Sequence, residues 1–65
     1  MAQDVRLYSL EYCRHCEAAK DYLRQLGISF KEVVVQRHQS EFRKLQLYKG
    51  AGSPPVITVN GSVIF

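Results

Sequence analysis

Cysteine is scarce in this sequence, with two residues in all, and no apolar stretch approaches the roughly 20 residues that a membrane-spanning helix requires. Two cysteines exclude the disulfide-dense scaffold of a small secreted domain, and their close spacing would shut a loop too short to stabilise much. The opening Met1-Ala2-Gln3-Asp4 lacks the basic region and apolar core of a signal peptide. These absences lead to the expectation of a reducing, cytoplasmic compartment and no membrane. Charge of one sign is also in short supply. The net charge is +3, and the nine basic residues are scattered from Arg6 to Lys49 without the aromatic-interleaved stripe of a nucleic-acid surface. The small excess suits an anionic small substrate or an acidic partner surface. Length is limiting too: 65 residues make one domain, 1–65, and a chain of this size buries only about 60% of its unfolded surface.

What the sequence does contain is a C-x-x-C. Cys13 and Cys16 stand three apart in Tyr12-Cys13-Arg14-His15-Cys16. Upstream, residues 5–9 alternate and are rich in strand formers. Downstream, Cys16, Ala19, Leu23 and Leu26 recur at helical spacing, which predicts a helix over 13–26 with these four on its buried face. Glu17 with Lys20 and Asp21 with Arg24 are spaced to pair on the solvent face, and Gly27 is the C-terminal stop. Cys13 therefore falls at a helix N-terminus, where free backbone N–H groups and the positive end of the helix dipole favour an anion. A thiolate is such an anion and is the reactive form of cysteine. This placement predicts disulfide exchange, with Cys16 on the buried stripe and only Cys13 open to a substrate.

Residues 28–35 contain Phe30 and Val33-Val34-Val35 and read as a parallel strand buried on both faces. Residues 36–39 read as a polar loop. Ser40, followed by Glu41, reads as the N-cap of a helix that runs to about Lys49, carries Phe42, Leu45 and Tyr48 on its apolar side and ends at Gly50. After a loop over 51–55, strands at 56–59 and 62–65 are joined by Asn60-Gly61, a type I′ hairpin signal. The order β-α-β-α-β-β requires a parallel first pair with a right-handed crossover. The expected fold class is α/β, a four-stranded mixed sheet with a helix on either face. Tyr22, Phe30, Phe42 and Tyr48 read as core or core edge. Val63-Ile64-Phe65 is an apolar edge strand with nothing following to cover it. The expectation is a domain truncated at its C-terminus, or one covered by a partner such as a second copy in a homodimer.

This element order, with C-x-x-C after the first strand and a proline opening the third, resembles the glutaredoxin branch of the thioredoxin fold over essentially the whole chain. Tyr8-Ser9 ahead of Glu11-Tyr12-Cys13 is similar to the family's tyrosine–serine lead-in. Gly50-Ala51-Gly52-Ser53-Pro54-Pro55-Val56-Ile57-Thr58-Val59-Asn60-Gly61 is similar to its segment of glycine, threonine-valine-proline, strand and asparagine-glycine. The resemblance implies a thioredoxin-like fold of glutaredoxin type, with the final helix missing beyond Phe65. It implies a thiol–disulfide oxidoreductase acting on protein or glutathione mixed disulfides, with Cys13 as nucleophile and Cys16 resolving the mixed disulfide. Pro55 matches the family's cis-proline, which lies against the C-x-x-C. Tyr12, Ser53, Pro54 and Pro55 would line the substrate or glutathione groove. No bound cofactor or metal is implied, and glutathione is the expected co-substrate.

The sequence departs from the family pattern at several positions. Arg14-His15 replaces the usual proline-tyrosine, and a cation beside an ionisable imidazole is expected to lower the pKa of Cys13 and make the disulfide more oxidising. Leu10 stands where lysine is common. Pro54 has no N–H and can offer glutathione only its carbonyl, a loss on the order of 1 kcal/mol. The glycine-rich segment that holds the γ-glutamyl end would follow Ile64. Arg37 is the candidate for the glycyl carboxylate, with His38 and Arg43 as substitutes. Four other readings stay open. One is a glutathione-independent redoxin reduced by a flavin-dependent thioredoxin reductase, like the electron donors of ribonucleotide reductase. Another is a glutaredoxin that ligates an iron–sulfur cluster through Cys13. The remaining two are a zinc site built from Cys13, Cys16, His38 and one further ligand, and a non-enzymatic interaction module.

Overall fold

Strand β1 (Val5–Ser9) is the pivot of the molecule because both of its edges are paired. It runs parallel to β2 (Lys31–Val34) and antiparallel to β3 (Val56–Val59), and β3 pairs with the short β4 (Ser62–Val63). The sheet order is β2-β1-β3-β4. The structure is a computed structural model that describes residues 3–65, so the reading of Met1 and Ala2 lies outside the described residues.

Successive side chains of a strand point to opposite faces, and β1 divides the core accordingly. Val5 and Leu7 pack on one face with Leu23 and Ile57, beneath helix α1 (Arg14–Gln25). Tyr8 points to the other face and packs with Val33, Val56 and Phe42, beneath helix α2 (Gln39–Lys49). The Tyr8 and Phe42 rings meet at a centroid distance of 5.9 Å, tilted by 40°, a favourable aromatic geometry. The expected element order, the mixed sheet and the helix on either face are all present.

Local signals located the turns well. Gly27 and Gly50 take φ of 71° and 72° at the ends of α1 and α2, the left-handed position where glycine carries no Cβ penalty. Asn60 and Gly61 both have positive φ, as a type I′ turn demands. Beyond β4 the pairing continues through Ile64 N–H to the Ile57 carbonyl at 2.9 Å and Ile57 N–H to the Phe65 carbonyl at 3.3 Å.

Other expectations are corrected. The second strand is limited to Lys31–Val34 and lies at a sheet edge, so Val33 is buried, Val34 only half-buried, and Val35 opens a 3-10 turn over Val35–Arg37 instead of a loop. Helix α2 starts at Gln39 with His38 as its uncapped N-cap, which puts Ser40 inside the helix. Leu26 falls past the last turn of α1 and is exposed, as are Tyr22 and Tyr48. Lys20, expected on the solvent face, is buried at 8% exposure. Its place in α1 fits the spacing, because positions 16, 20 and 23 share one face.

Candidate active site

Only residues 10–13 separate β1 from α1, and the chain reverses over them by placing Tyr12 at φ 57°. A bulky residue is uncommon in that left-handed region, and such positions concentrate where a fold constrains a functional segment. Two contacts fix the loop to the 3-10 turn after β2. The Glu11 N–H donates to Gln36 Oε1 at 3.0 Å, and Arg37 lies 3.5 Å from the Glu11 carboxylate. The reversal delivers Cys13 as the N-cap of α1.

The Cys13 thiol then takes the place that a serine or aspartate side chain takes at other helix starts. Its Sγ accepts a hydrogen bond from the Cys16 N–H at 3.2 Å, while its carbonyl accepts the first helical bond from the Glu17 N–H at 3.1 Å. Cys13 is half-buried, whereas Cys16 has no exposed surface, and both are free thiols. These surroundings separate the two chemically. A hydrogen bond from the Cys16 thiol and backbone N–H donation from Cys16 and His15 lower the pKa of Cys13, against burial and the nearby Glu17 charge. Burial raises the pKa of Cys16, and its hydrogen bond to Cys13 adds to the effect. Of the two intervening residues, His15 thus acts on Cys13 through its backbone N–H. Thiolate absorbance followed against pH is expected to show two steps, the first below the free-thiol value of about 8.5 and the second above it. A single two-proton step at the free value would contradict this arrangement.

The Pro54–Pro55 peptide bond is cis. Pro55 lines an open groove of about 440 Å³ together with His15, Ala18, Tyr22, Ile57 and Phe65, which brings the proline loop beside the C-x-x-C helix. Ser53 is exposed and Pro54 half-buried in the same loop. Arg14 is an exposed first residue of the helix. Tyr12 stands fully in solvent at 103% exposure and lines none of the described grooves. Arg37 is exposed, outside the lining of the groove, and its Nη2 lies 3.5 Å from the Glu11 carboxylate. His38 sits at the start of α2, 3.9 Å from Glu41. Among the described residues, no three His, Cys, Asp or Glu side chains gather into a cluster able to hold a metal.

Comparison with known proteins agrees with this geometry. The Glutaredoxin family model matches residues 5–64. The chain belongs to the glutaredoxin family. An uncharacterized glutaredoxin-like protein of 8.6 kDa in the rubredoxin operon of Clostridium pasteurianum is 28% identical over 60 residues, covering 92% of this chain and 80% of that one. The holo form of glutaredoxin C1 from Populus tremula x tremuloides is 30% identical with a TM-score of 0.76, over 92% of this chain and 62% of that one. The glutathione complex of buckwheat glutaredoxin superimposes with a TM-score of 0.81 at 20% identity, over 95% of this chain and 59% of that one. The chain spans about three-fifths of the length of these two plant glutaredoxins. Its mixed four-stranded sheet with two helices is the thioredoxin-like fold of the glutaredoxins.

One buried charge on the face of α1 that carries Cys16 was missed by the sequence reading. Lys20 lies one turn below Cys16 and reaches both Glu17 and Glu32. Its helical spacing from Cys16 was the available signal. The pairing with Glu32 was not legible, because it crosses from α1 to β2.

Proposed function

We propose that the protein is a dithiol thiol–disulfide oxidoreductase that reduces protein disulfides or glutathione mixed disulfides. The observation that carries this reading is the asymmetry of the two thiols: Cys13 Sγ caps the helix and is partly open, while Cys16, which donates its N–H to that sulfur, is wholly buried. Cys13, as thiolate, attacks one sulfur of a disulfide, forming a mixed disulfide and expelling the other sulfur as a thiolate. Cys16 then attacks the Cys13 sulfur, expels the second substrate thiolate, and leaves a Cys13–Cys16 disulfide. The substrate is reduced by two electrons and the dithiol is oxidised by two. Pro55 and the Pro54 carbonyl shape the groove for the substrate backbone, and Arg14 and His15 flank the nucleophile at the helix start.

Glutathione is the reductant favoured by the family and by the glutathione complex of the buckwheat relative. Arg37 would pair with the glycyl carboxylate, in competition with Glu11. A second reading, a redoxin served by a flavin-dependent thioredoxin reductase, draws on Pro54, which lacks the N–H that glutathione would use. The test is to oxidise the protein and follow its reduction by glutathione and, separately, by thioredoxin reductase with NADPH. Faster reduction by glutathione supports the first reading, and faster reduction by the reductase supports the second. A disulfide that neither system reduces would overturn the oxidoreductase assignment.

A further inference from the structure

Lys20 is the one buried charged side chain among the described residues. It lies on the buried face of α1 with 11% of its side chain exposed, and its partners are more open, Glu32 at 37% and Glu17 at 65%. A charge is costly there unless fully partnered. Lys20 Nζ donates to Glu17 Oε1 at 2.7 Å and to Glu32 Oε2 at 2.9 Å, and the same Glu32 oxygen accepts from the buried Ser9 hydroxyl at 2.9 Å. Helix, central strand and edge strand thus each contribute to one polar network. Stability is a weak reason for building it, because a well-packed apolar side chain commonly serves as well as a buried ion pair.

The position of the network suggests another use. Lys20 follows Cys16 by four residues on the same buried helix face, so the two residues lie one helical turn apart. We propose that Lys20, anchored by Glu32 and Ser9, is the positioning residue for the resolving step, its charge favouring loss of the Cys16 proton when Cys16 attacks the mixed disulfide. The proposal rests on the oxidoreductase reading above and assigns this network a part in it. In the step, the Cys16 sulfur bonds to the Cys13 sulfur, the bond from Cys13 to the substrate sulfur breaks, and the departing thiolate takes the proton released by Cys16. Substrate mixed disulfide plus thiol gives protein disulfide plus substrate thiol, with no other reactant.

The titratable groups that act on Cys16 are Cys13 and Lys20, from α1 and its start; Glu17 of α1 and Glu32 of β2 pair with Lys20, and Val56–Val59 of β3 carries no titratable side chain. Burial and Cys13 push the Cys16 thiol up, the Leu10 backbone N–H opposes that push, and the Lys20 charge adds a smaller opposing effect. Hydrogen bonds to Glu17 and Glu32 hold Lys20 in its charged form, and Lys20 and Ser9 keep Glu32 ionised. The ammonium is therefore held charged at neutral pH, where the second release is compared.

The experiment mixes reduced protein with excess of a chromogenic aromatic disulfide and records both releases of aromatic thiolate against pH. The first release reports attack by Cys13 and the second reports resolution by Cys16. Lys20→Met is expected to leave the first release within about twofold. It should slow the second severalfold at neutral pH by moving its midpoint up. Lys20→Arg should restore most of the rate, and Glu32→Gln, which keeps an oxygen to accept from Lys20 while removing the negative charge that offsets it, should move the midpoint down. A purely structural role predicts no such opposite movement. Unchanged midpoints in Lys20→Met and Glu32→Gln would overturn the proposal while leaving the oxidoreductase reading intact. If Lys20→Met loses its native far-UV spectrum, the Glu32→Gln midpoint alone decides, and no downward movement overturns the proposal. A parent protein with no first release would overturn the oxidoreductase reading itself.

Discussion

Cys13→Ser is expected to abolish disulfide turnover, with a fall on the order of 10³-fold or more, because a serine hydroxyl at the helix start cannot form the mixed disulfide at all. Cys16→Ser should behave differently. Cys13 keeps the N-cap position and the backbone N–H of residue 16, since these belong to the main chain. The first attack therefore survives, and the mixed disulfide persists for want of the buried thiol that would resolve it. With a protein disulfide as substrate, the adduct should accumulate to about one per chain. With a glutathionylated substrate, a second glutathione can attack the Cys13–glutathione adduct from solvent, so turnover should continue. Mass spectrometry of the trapped species together with turnover of both variants checks the assignment. A Cys16→Ser protein inert at the first step, beside a Cys13→Ser protein that still forms an adduct, would reverse the roles of the two thiols.

The parts of this site that were legible in the sequence are those set by neighbours along the chain. A helix start after β1 puts Cys13 at the cap, and the helical period buries Cys16, so both follow from local rules that tertiary structure did not override. Gly50 and Asn60-Gly61 announced their turns for the same reason, since their backbone angles suit few other residues. The features that were misread depend on where an element lies in the sheet. Val33-Val34-Val35 has the composition of a doubly buried strand, yet β2 is an edge, and only the strand order shows it. Lys20 looked like half of a surface pair with Glu17. That pair does exist, but a second partner arrives from β2, where Glu32 stands in register with Leu7 on the face beneath α1. Tyr22 and Tyr48 have helical spacing to other apolar residues but lie at the rims of their helices' buried faces, and the thin layers of a small domain leave them in solvent.

Leu7→Ala is expected to cost about 2–5 kcal/mol, the usual penalty for emptying a fully buried leucine site. Leu7 has no exposed surface, sits in the central strand, and is opposed by Ile57 on one side and Glu32 on the other. A 65-residue domain has roughly 3–10 kcal/mol of total stability, so the loss is comparable with the whole. The variant should be largely unfolded or shifted to a much lower urea midpoint with an unchanged slope, as read by far-UV circular dichroism. Leu10→Ala is the matched control, because Leu10 lies three residues further on at 37% exposure and should change stability by no more than about 0.5 kcal/mol. Equal midpoints for the two variants would refute the placement of the α1-side core. The consequence reaches the chemistry, because Ser9 and Leu10 continue from this strand into the loop that delivers Cys13. In Leu7→Ala the pKa separation of the two thiols should therefore collapse along with the fold. In Leu10→Ala the Cys13 step should stay below the free-thiol value, because the helix start that holds the thiolate is still in place.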